Sequence, residues 1–285
     1  FRARSGADDA GGGRSNRRAA GGRHHPRDEY TLSTKVGRML EPVASVPELD
    51  NNFQHGLSFR RRLDYSYDGT MRSIEDSLQR LGLPRIDIVY IHDCAPDWLG
   101  DNWREEFDRA MEGAAVALTQ LREQGVIRAW GMGVNVVDPC LLALERADPD
   151  LFLVAGRYTL LDHTALGALL PACEARDVKV VIGGPYNSGL LAGGTTFNYE
   201  KAPPELRARA EALGAICGRH GVDLKAAALQ FPLAHPAVAA VIPGPRTPEE
   251  VRQNAAAMVQ PIPPAVWAEM RAQKLLPEAA PVPEP

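Results

Sequence analysis

Cysteine is scarce in this chain: four in 285 residues, Cys94, Cys140, Cys173 and Cys217. They are widely spaced with no Cys-x-x-Cys pair, which argues against a zinc ribbon, a dithiol redox motif and a disulfide scaffold. Reduced thiols in a cytoplasmic protein are expected, and no metal site. An excess of positive charge is also missing, since 32 Lys and Arg against 36 Asp and Glu leave a net charge of −4. Such a chain has no overall field to hold a phosphate backbone or an anionic bilayer, so neither nucleic acid nor a membrane is an expected partner. No apolar run approaches the roughly 20 residues that span a bilayer, and no apolar signal segment opens the sequence. The first 29 residues are rich in Gly, Arg and Ala, with Phe1 the only large apolar side chain before Tyr30. Nothing there offers a core face to offset the entropy of ordering, and disorder is expected over 1–29.

What is present is a chain of 45% hydrophobic residues, long enough for one α/β barrel or two smaller domains. From Tyr30 onward, short runs rich in β-branched residues alternate with helical periodicity. Strands are expected near 31–36, 86–92, 127–133, 151–155, 178–182 and 238–242. Ile74, Leu78 and Leu81 recur at helical spacing before Gly82 and Pro84 stop the turn, and 114–125 carries Leu118, Leu121 and a closing Gly125. Strand-helix alternation of these lengths makes a parallel sheet, open or closed into a barrel. The segments 93–112 and 184–206 are long excursions after strand ends and are candidate substrate loops.

Two of the apolar runs close on a residue capable of chemistry: Lys35 near the end of 31–36, and His92 at the end of 86–92. The helix between them carries both to the same edge of a parallel sheet, where α/β proteins place their sites. Taken singly, such a lysine is usually a solvated rim charge and such a histidine a satisfied core residue. The pair together points to a site. The last strand runs into Ile242-Pro243-Gly244-Pro245-Arg246-Thr247-Pro248-Glu249-Glu250. Thr247 suits an N-cap, Pro248 the first helical position, and Glu250 completes a Thr-x-x-Glu capping box. With Arg246 beside the positive end of that helix this is an anion site for a nucleotide phosphate or, in the plainer reading, an ordinary loop with a solvated arginine.

The ordered set Leu32-Ser-Thr-Lys-Val-Gly-Arg38, Asp64-Tyr-Ser-Tyr-Asp68, Arg72-Ser-Ile-Glu-Asp-Ser-Leu78, Ile86-Asp-Ile-Val-Tyr-Ile-His-Asp93, Gly131-Met-Gly-Val-Asn135, Gly156-Arg-Tyr-Thr-Leu-Leu-Asp162, Gly183-Gly-Pro-Tyr-Asn-Ser-Gly-Leu-Leu191 and Ile242-Pro-Gly-Pro-Arg246 resembles the aldo-keto reductase family, in its aldose (L-fucose or D-threo-aldose) 1-dehydrogenase branch. The resemblance runs from about residue 30 to residue 260. It implies an α/β fold, the (β/α)8 TIM barrel, binding an extended nicotinamide dinucleotide with no Gly-rich fingerprint. It also implies a catalytic tetrad of Asp, Tyr, Lys and His. Lys35 matches the lysine that lowers the tyrosine's pKa, and His92 the histidine that orients the substrate oxygen. Asn135 matches the residue that binds the nicotinamide carboxamide. Ser188 and Leu190 lie in the pyrophosphate loop, and Gly244, Arg246, Glu250 and Asn254 lie where the adenosine end is held.

The departures are as informative. The family's Asp and Tyr belong to the first two barrel units, and a βαβ unit needs about 30 residues, so 1–29 cannot hold both units. The expected architecture is a barrel domain over 30–275 without its first two β/α units, a disordered lead over 1–29 from a misread or truncated N-terminus, and a Pro-rich tail over 276–285. Tyr65 and Tyr67, on a rim loop, are first in line should another phenol serve. Many relatives that use NADP carry a lysine at the position of Gly244 and an arginine at that of Glu250, so NAD is favoured, while Arg246 leaves NADP open. The function that follows is oxidation of C1 of an aldose such as L-fucose or D-arabinose to a lactone, with a small-molecule sugar or aldehyde as partner. No turnover is expected from the chain as it stands. The alternative is a non-catalytic nucleotide-binding or regulatory homologue.

Overall fold

The computed structural model describes residues 3–5, 25–46, 49–50, 53–54 and 56–284. The chain divides into two compact units, Phe1–Val134 with Leu142–Asp150, and Asn135–Leu141 with Leu151–Pro285. The fold is α/β, and every strand of its main sheets pairs in parallel.

The first unit contains β1 (Ala3–Ser5), β2 (Thr31–Val36), β3 (Ile88–His92) and β4 (Ala129–Val134). Along β2 burial alternates, with Leu32, Thr34 and Val36 buried and Ser33 and Lys35 half-buried on the opposite face. That alternation follows from the two-residue period of a strand. Lys35 is registered against Tyr90 and His92 against Gly133, so Lys35, Tyr90 and His92 share one face. On the other face Val89 and Ile91 have no exposure, and burying a side chain of this kind contributes about 1.5–3 kcal/mol. Helix α1 (Tyr67–Leu81) is capped by Ser66, whose side chain accepts from the Gly69 N–H. It ends on Gly82 in the left-handed region at φ 63°, where the sequence places its stop.

The excursion 93–112 departs from a simple loop. It contains α2 (Trp103–Glu112), which buries Trp103, Phe107, Ala110 and Met111 at helical spacing, directly before α3 (Ala114–Glu123). At the start of β3, Asp87 has a fully buried carboxylate that accepts from the Leu32 N–H at 2.8 Å and from Arg27 at 2.5 Å. The lead over 1–29 departs from the expected disorder at two described places, β1 and a single 3-10 turn at Arg27–Glu29. Residues 6–24 lie outside the described residues.

The second unit contains β5 (Leu151–Ala155), β6 (Lys179–Gly183) and β7 (Val238–Ile242), with β6 paired to both of the others. Its core includes the ring stack Tyr158, Phe231 and Trp267, at centroid distances of 5.1 and 6.4 Å. The excursion 184–206 contains a hairpin of Thr196–Phe197 with Glu200–Lys201. Helix α4 (Pro248–Ala257) starts at Thr247, whose hydroxyl accepts from the Glu250 N–H at 3.1 Å. The Pro-rich tail over 276–285 is tied down where it starts: Leu276 and Ala280 are buried, and Arg271 donates to the Ala280 carbonyl at 2.7 Å. All four cysteines are free and buried. No helix among the described residues is long and apolar enough to cross a membrane.

Candidate functional site

In the first unit the structure brings Lys35 and His92 together. A Cβ placed on Gly133 would lie 3.4 Å from Lys35 Cε and 3.2 Å from Tyr90 Cβ. The absence of a side chain at Gly133 therefore leaves the channel that the lysine stem occupies on its way to the strand end. Among the described residues the Lys35 ammonium makes no hydrogen bond or ion pair, and its charge acts on the His92 imidazole. Burial, first, and then the cations Lys35, Arg38 and Arg61 hold the His92 pKa well below the usual imidazole value, so the ring is neutral at physiological pH.

His92 is followed by Asp93, which leaves the strand in the left-handed region at φ 46°. That conformation is commoner for Asp and Asn than for other side chains. It turns the carboxylate back, so that Asp93 Oδ2 lies 3.2 Å from His92 Nε2 and 2.5 Å from Arg38 NH2. The Arg38 guanidinium also stacks 4.1 Å above the Trp98 ring. Burial raises the Asp93 pKa against the opposing pull of Arg38. Arg38 and Asp93, which the sequence motifs contain without assigning them a role, are members of this site, as is Trp98 from the excursion 93–112.

The two tyrosines first in line as substitute phenols are engaged elsewhere. Tyr65 is buried, its hydroxyl donates to the His92 carbonyl at 2.7 Å, and burial pushes its pKa far up. Tyr67 donates to Gln120 Oε1 at 2.8 Å.

In the second unit the residues assigned to the cofactor fall into three local groups. Asn135 offers its carbonyl to Arg157 Nε at 2.6 Å, and Arg157 also binds Asp162 and Asn198. Asn187, Ser188 and Gly189 all have positive φ. Ser188 is committed to the hairpin, because its hydroxyl accepts from the Tyr199 N–H at 3.0 Å and its carbonyl from Thr196 Oγ1 at 2.5 Å. Leu190 is buried under that loop. In the third group Asn254 Oδ1 accepts from the Tyr186 hydroxyl at 2.7 Å. Glu250 reaches back past the cap to the Arg246 N–H at 2.6 Å and to its guanidinium at 3.0 Å. Gly244 has nothing within 4 Å of a Cβ position.

The donor set of this unit fits a dinucleotide. Asn187 Oδ1 is buried without a partner among the described residues, an acceptor for an amide or hydroxyl hydrogen. Arg246, 87% exposed beside the start of α4 and paired with Glu250, would offer a guanidinium to a phosphate, while its own N–H and that of Glu250 are already bonded.

Comparison with known proteins identifies the family. The model of the aldo/keto reductase family matches residues 14–274, so the match begins earlier than the resemblance read from residue 30. A pyridoxal 4-dehydrogenase of Microbacterium luteolum is 41% identical over 263 residues, covering 87% of this chain and 77% of that protein. A D-threo-aldose 1-dehydrogenase of a Pseudomonas species is 40% identical over 261 residues, covering 88% and 77%. Among solved structures, a holo aldo-keto reductase of Bacillus halodurans superposes with a TM-score of 0.60 at 24% identity, covering 94% of this chain and 77% of its own. That likeness is one of fold.

Proposed function

Given that the chain belongs to the aldo/keto reductase family, and so is a nicotinamide-dependent oxidoreductase acting on small molecules, we propose that its reaction is the oxidation of a cyclic hemiacetal carbon to a lactone, with C1 of an aldose as the reacting centre. The observation that carries this reading is that a Lys35 ammonium with no ion pair among the described residues and a neutral His92 stand on one face of the paired strands. A bound nicotinamide would supply the hydride acceptor for that carbon, and the hydroxyl proton would leave for a base, so that the C–O single bond becomes a carbonyl. His92 holds the oxygen, and Lys35 stabilises the anionic form of the base. Asn135, Asn187 and Arg246 would hold the cofactor. The ion pair of Arg246 with Glu250 neutralises the charge that a 2′-phosphate would need, which favours NAD over NADP.

A pyridoxal 4-dehydrogenase among the relatives supports a second substrate of the same chemistry, because pyridoxal closes on its own hydroxymethyl group to a hemiacetal. Among the described residues the two phenols first in line for the base are engaged elsewhere, Tyr65 with the His92 carbonyl and Tyr67 with Gln120. General acid–base groups are worth about 10²–10⁴-fold, so the chain of 285 residues is expected to bind NAD without measurable turnover. The test combines NAD titration by fluorescence with nicotinamide absorbance in the presence of L-fucose, D-arabinose or pyridoxal. Binding without absorbance change is the expected result. Oxidation at a rate typical of an intact dehydrogenase would place a base elsewhere, and no NAD binding would overturn the cofactor reading.

A further inference from the structure

The chain has only five lysines: Lys35, Lys179, Lys201, Lys225 and Lys274. Two of them are paired, since Lys179 donates to Asp177 at 2.8 Å and Lys225 lies 3.8 Å from Asp223. Two more, Lys201 and Lys274, are exposed. Lys35 differs from all four. It is half-buried, and among the described residues its ammonium has no ion pair and no hydrogen bond. Its stem runs through the channel that Gly133 leaves open, where a Cβ would lie 3.4 Å from Lys35 Cε and 3.6 Å from Cδ. The nitrogen is thereby carried toward the strand end on the face shared with Tyr90 and His92. No carboxylate among the described residues has to be parted from it before it reacts.

We propose that Lys35 is also a nucleophile, and that this site captures the open aldehyde form of a small substrate as a Schiff base on Lys35 Nζ. A lysine amine adds reversibly to an aldehyde carbon. The substrates proposed above present such a carbon, because an aldose opens to an aldehyde at C1 and pyridoxal opens to its free aldehyde. In the step, the ammonium first yields one proton to solvent. The nitrogen lone pair then bonds to the aldehyde carbon while the carbonyl oxygen gains a proton and the nitrogen loses one, giving a carbinolamine. Its hydroxyl leaves as water with the remaining N–H hydrogen, so amine and aldehyde become imine and water with no oxidant or reductant. Half-burial favours the adduct, because less water reaches the imine to hydrolyse it than at Lys201 or Lys274. The cyclic form of a substrate then goes to oxidation and its open form blocks Lys35, so the two forms compete for one site.

The proposal rests on the reading that a small aldose or pyridoxal enters this site, but its test needs no turnover. The full chain is incubated with pyridoxal, reduced with sodium cyanoborohydride to fix the imine, and digested for peptide mapping of all five lysines. Lys35 is expected to carry at least about tenfold more label than Lys201 or Lys274, since binding beside the amine makes the capture intramolecular. Labelling in urea is expected to be even over the five. Lys35→Arg keeps the cation and forms no imine, and should lose most of the imine absorbance of the unreduced mixture. Even labelling in the folded chain, a preference for Lys35 that survives in urea, or unchanged absorbance in Lys35→Arg overturns the proposal. NAD binding and sugar oxidation with Lys35 unlabelled would overturn this inference and leave the dehydrogenase reading standing. Selective labelling of Lys35 in a chain that binds no NAD would do the reverse.

Discussion

Replacing Gly37 with Ala tests how tightly the first unit is built around His92. Gly37 has φ 107°, and an ideal Cβ there would lie 2.3 Å from Tyr65 Cε1 and 2.7 Å from Cδ1. Two costs add. Holding an L-residue at positive φ costs about 1–2 kcal/mol, and forcing a methyl into a packed ring costs about 1–3 kcal/mol more, for a total near 3 kcal/mol. Gly82 provides the control, since its φ is 63° with nothing within 4 Å of the Cβ position, so Gly82→Ala carries only the backbone cost of about 1 kcal/mol. With a urea m-value of about 2 kcal/mol/M the two midpoints should differ by about 1 M. Tryptophan fluorescence is a suitable readout, because Trp130 in the same unit is fully buried. The Gly37 variant should also perturb His92, because the displaced Tyr65 hydroxyl donates to the His92 carbonyl. Equal midpoints for the two variants would refute the argument that Tyr65 is wedged against Gly37.

Lys35→Met should raise the His92 pKa, because it removes one of the cations that hold the imidazole neutral; a histidine titration by NMR that shows no shift would separate the two residues. Arg246→Ala should weaken NAD binding about tenfold, and Gly244→Lys should improve NADP relative to NAD; unchanged dissociation constants would remove this turn from the cofactor site. His163 has its pKa lowered to about 4 by burial and by Arg209, below its unfolded value of about 6.5. The unfolded chain therefore binds the extra proton first, and this contribution to stability is complete above pH 6.5 and is lost as pH falls toward 4. It is worth no more than about 3 kcal/mol, and His163→Gln should flatten the dependence of the urea midpoint on pH across that window.

The elements that were legible in the sequence share a physical reason. β2, β5 and β7 coincide with the apolar runs at 31–36, 151–155 and 238–242, because a buried parallel strand is written as a short β-branched stretch. Lys35 and His92 stand out because they interrupt such stretches. Arg38 and Asp93 do not, because each is one charged residue among many beside a strand end. Their meeting depends on the antiparallel pairing of Arg38–Pro42 with Phe59–Leu63 and on a single left-handed residue, neither of which has a period to detect. Helix α2 hides for a different reason. Trp103, Phe107, Ala110 and Met111 have helical spacing, but six charged residues among the ten dilute it, and the helix begins inside a segment that opens like a loop.

The buried cysteines divide unevenly between the two units, with Cys94 in the first and Cys140, Cys173 and Cys217 in the second. Each is protected twice. Solvent does not reach the sulfur, and burial raises the thiol pKa, to about 12 for Cys173 and about 11 for Cys217, so the thiolate that alkylating reagents attack is almost absent. Modification therefore waits on opening, and its rate measures how often a unit opens. Cys94 is a natural clock for the unit that holds Lys35 and His92, and the other three keep time for the unit that holds Arg246. A single thiol-labelling experiment followed by peptide mapping thus reads the opening of each unit from the unmodified sequence.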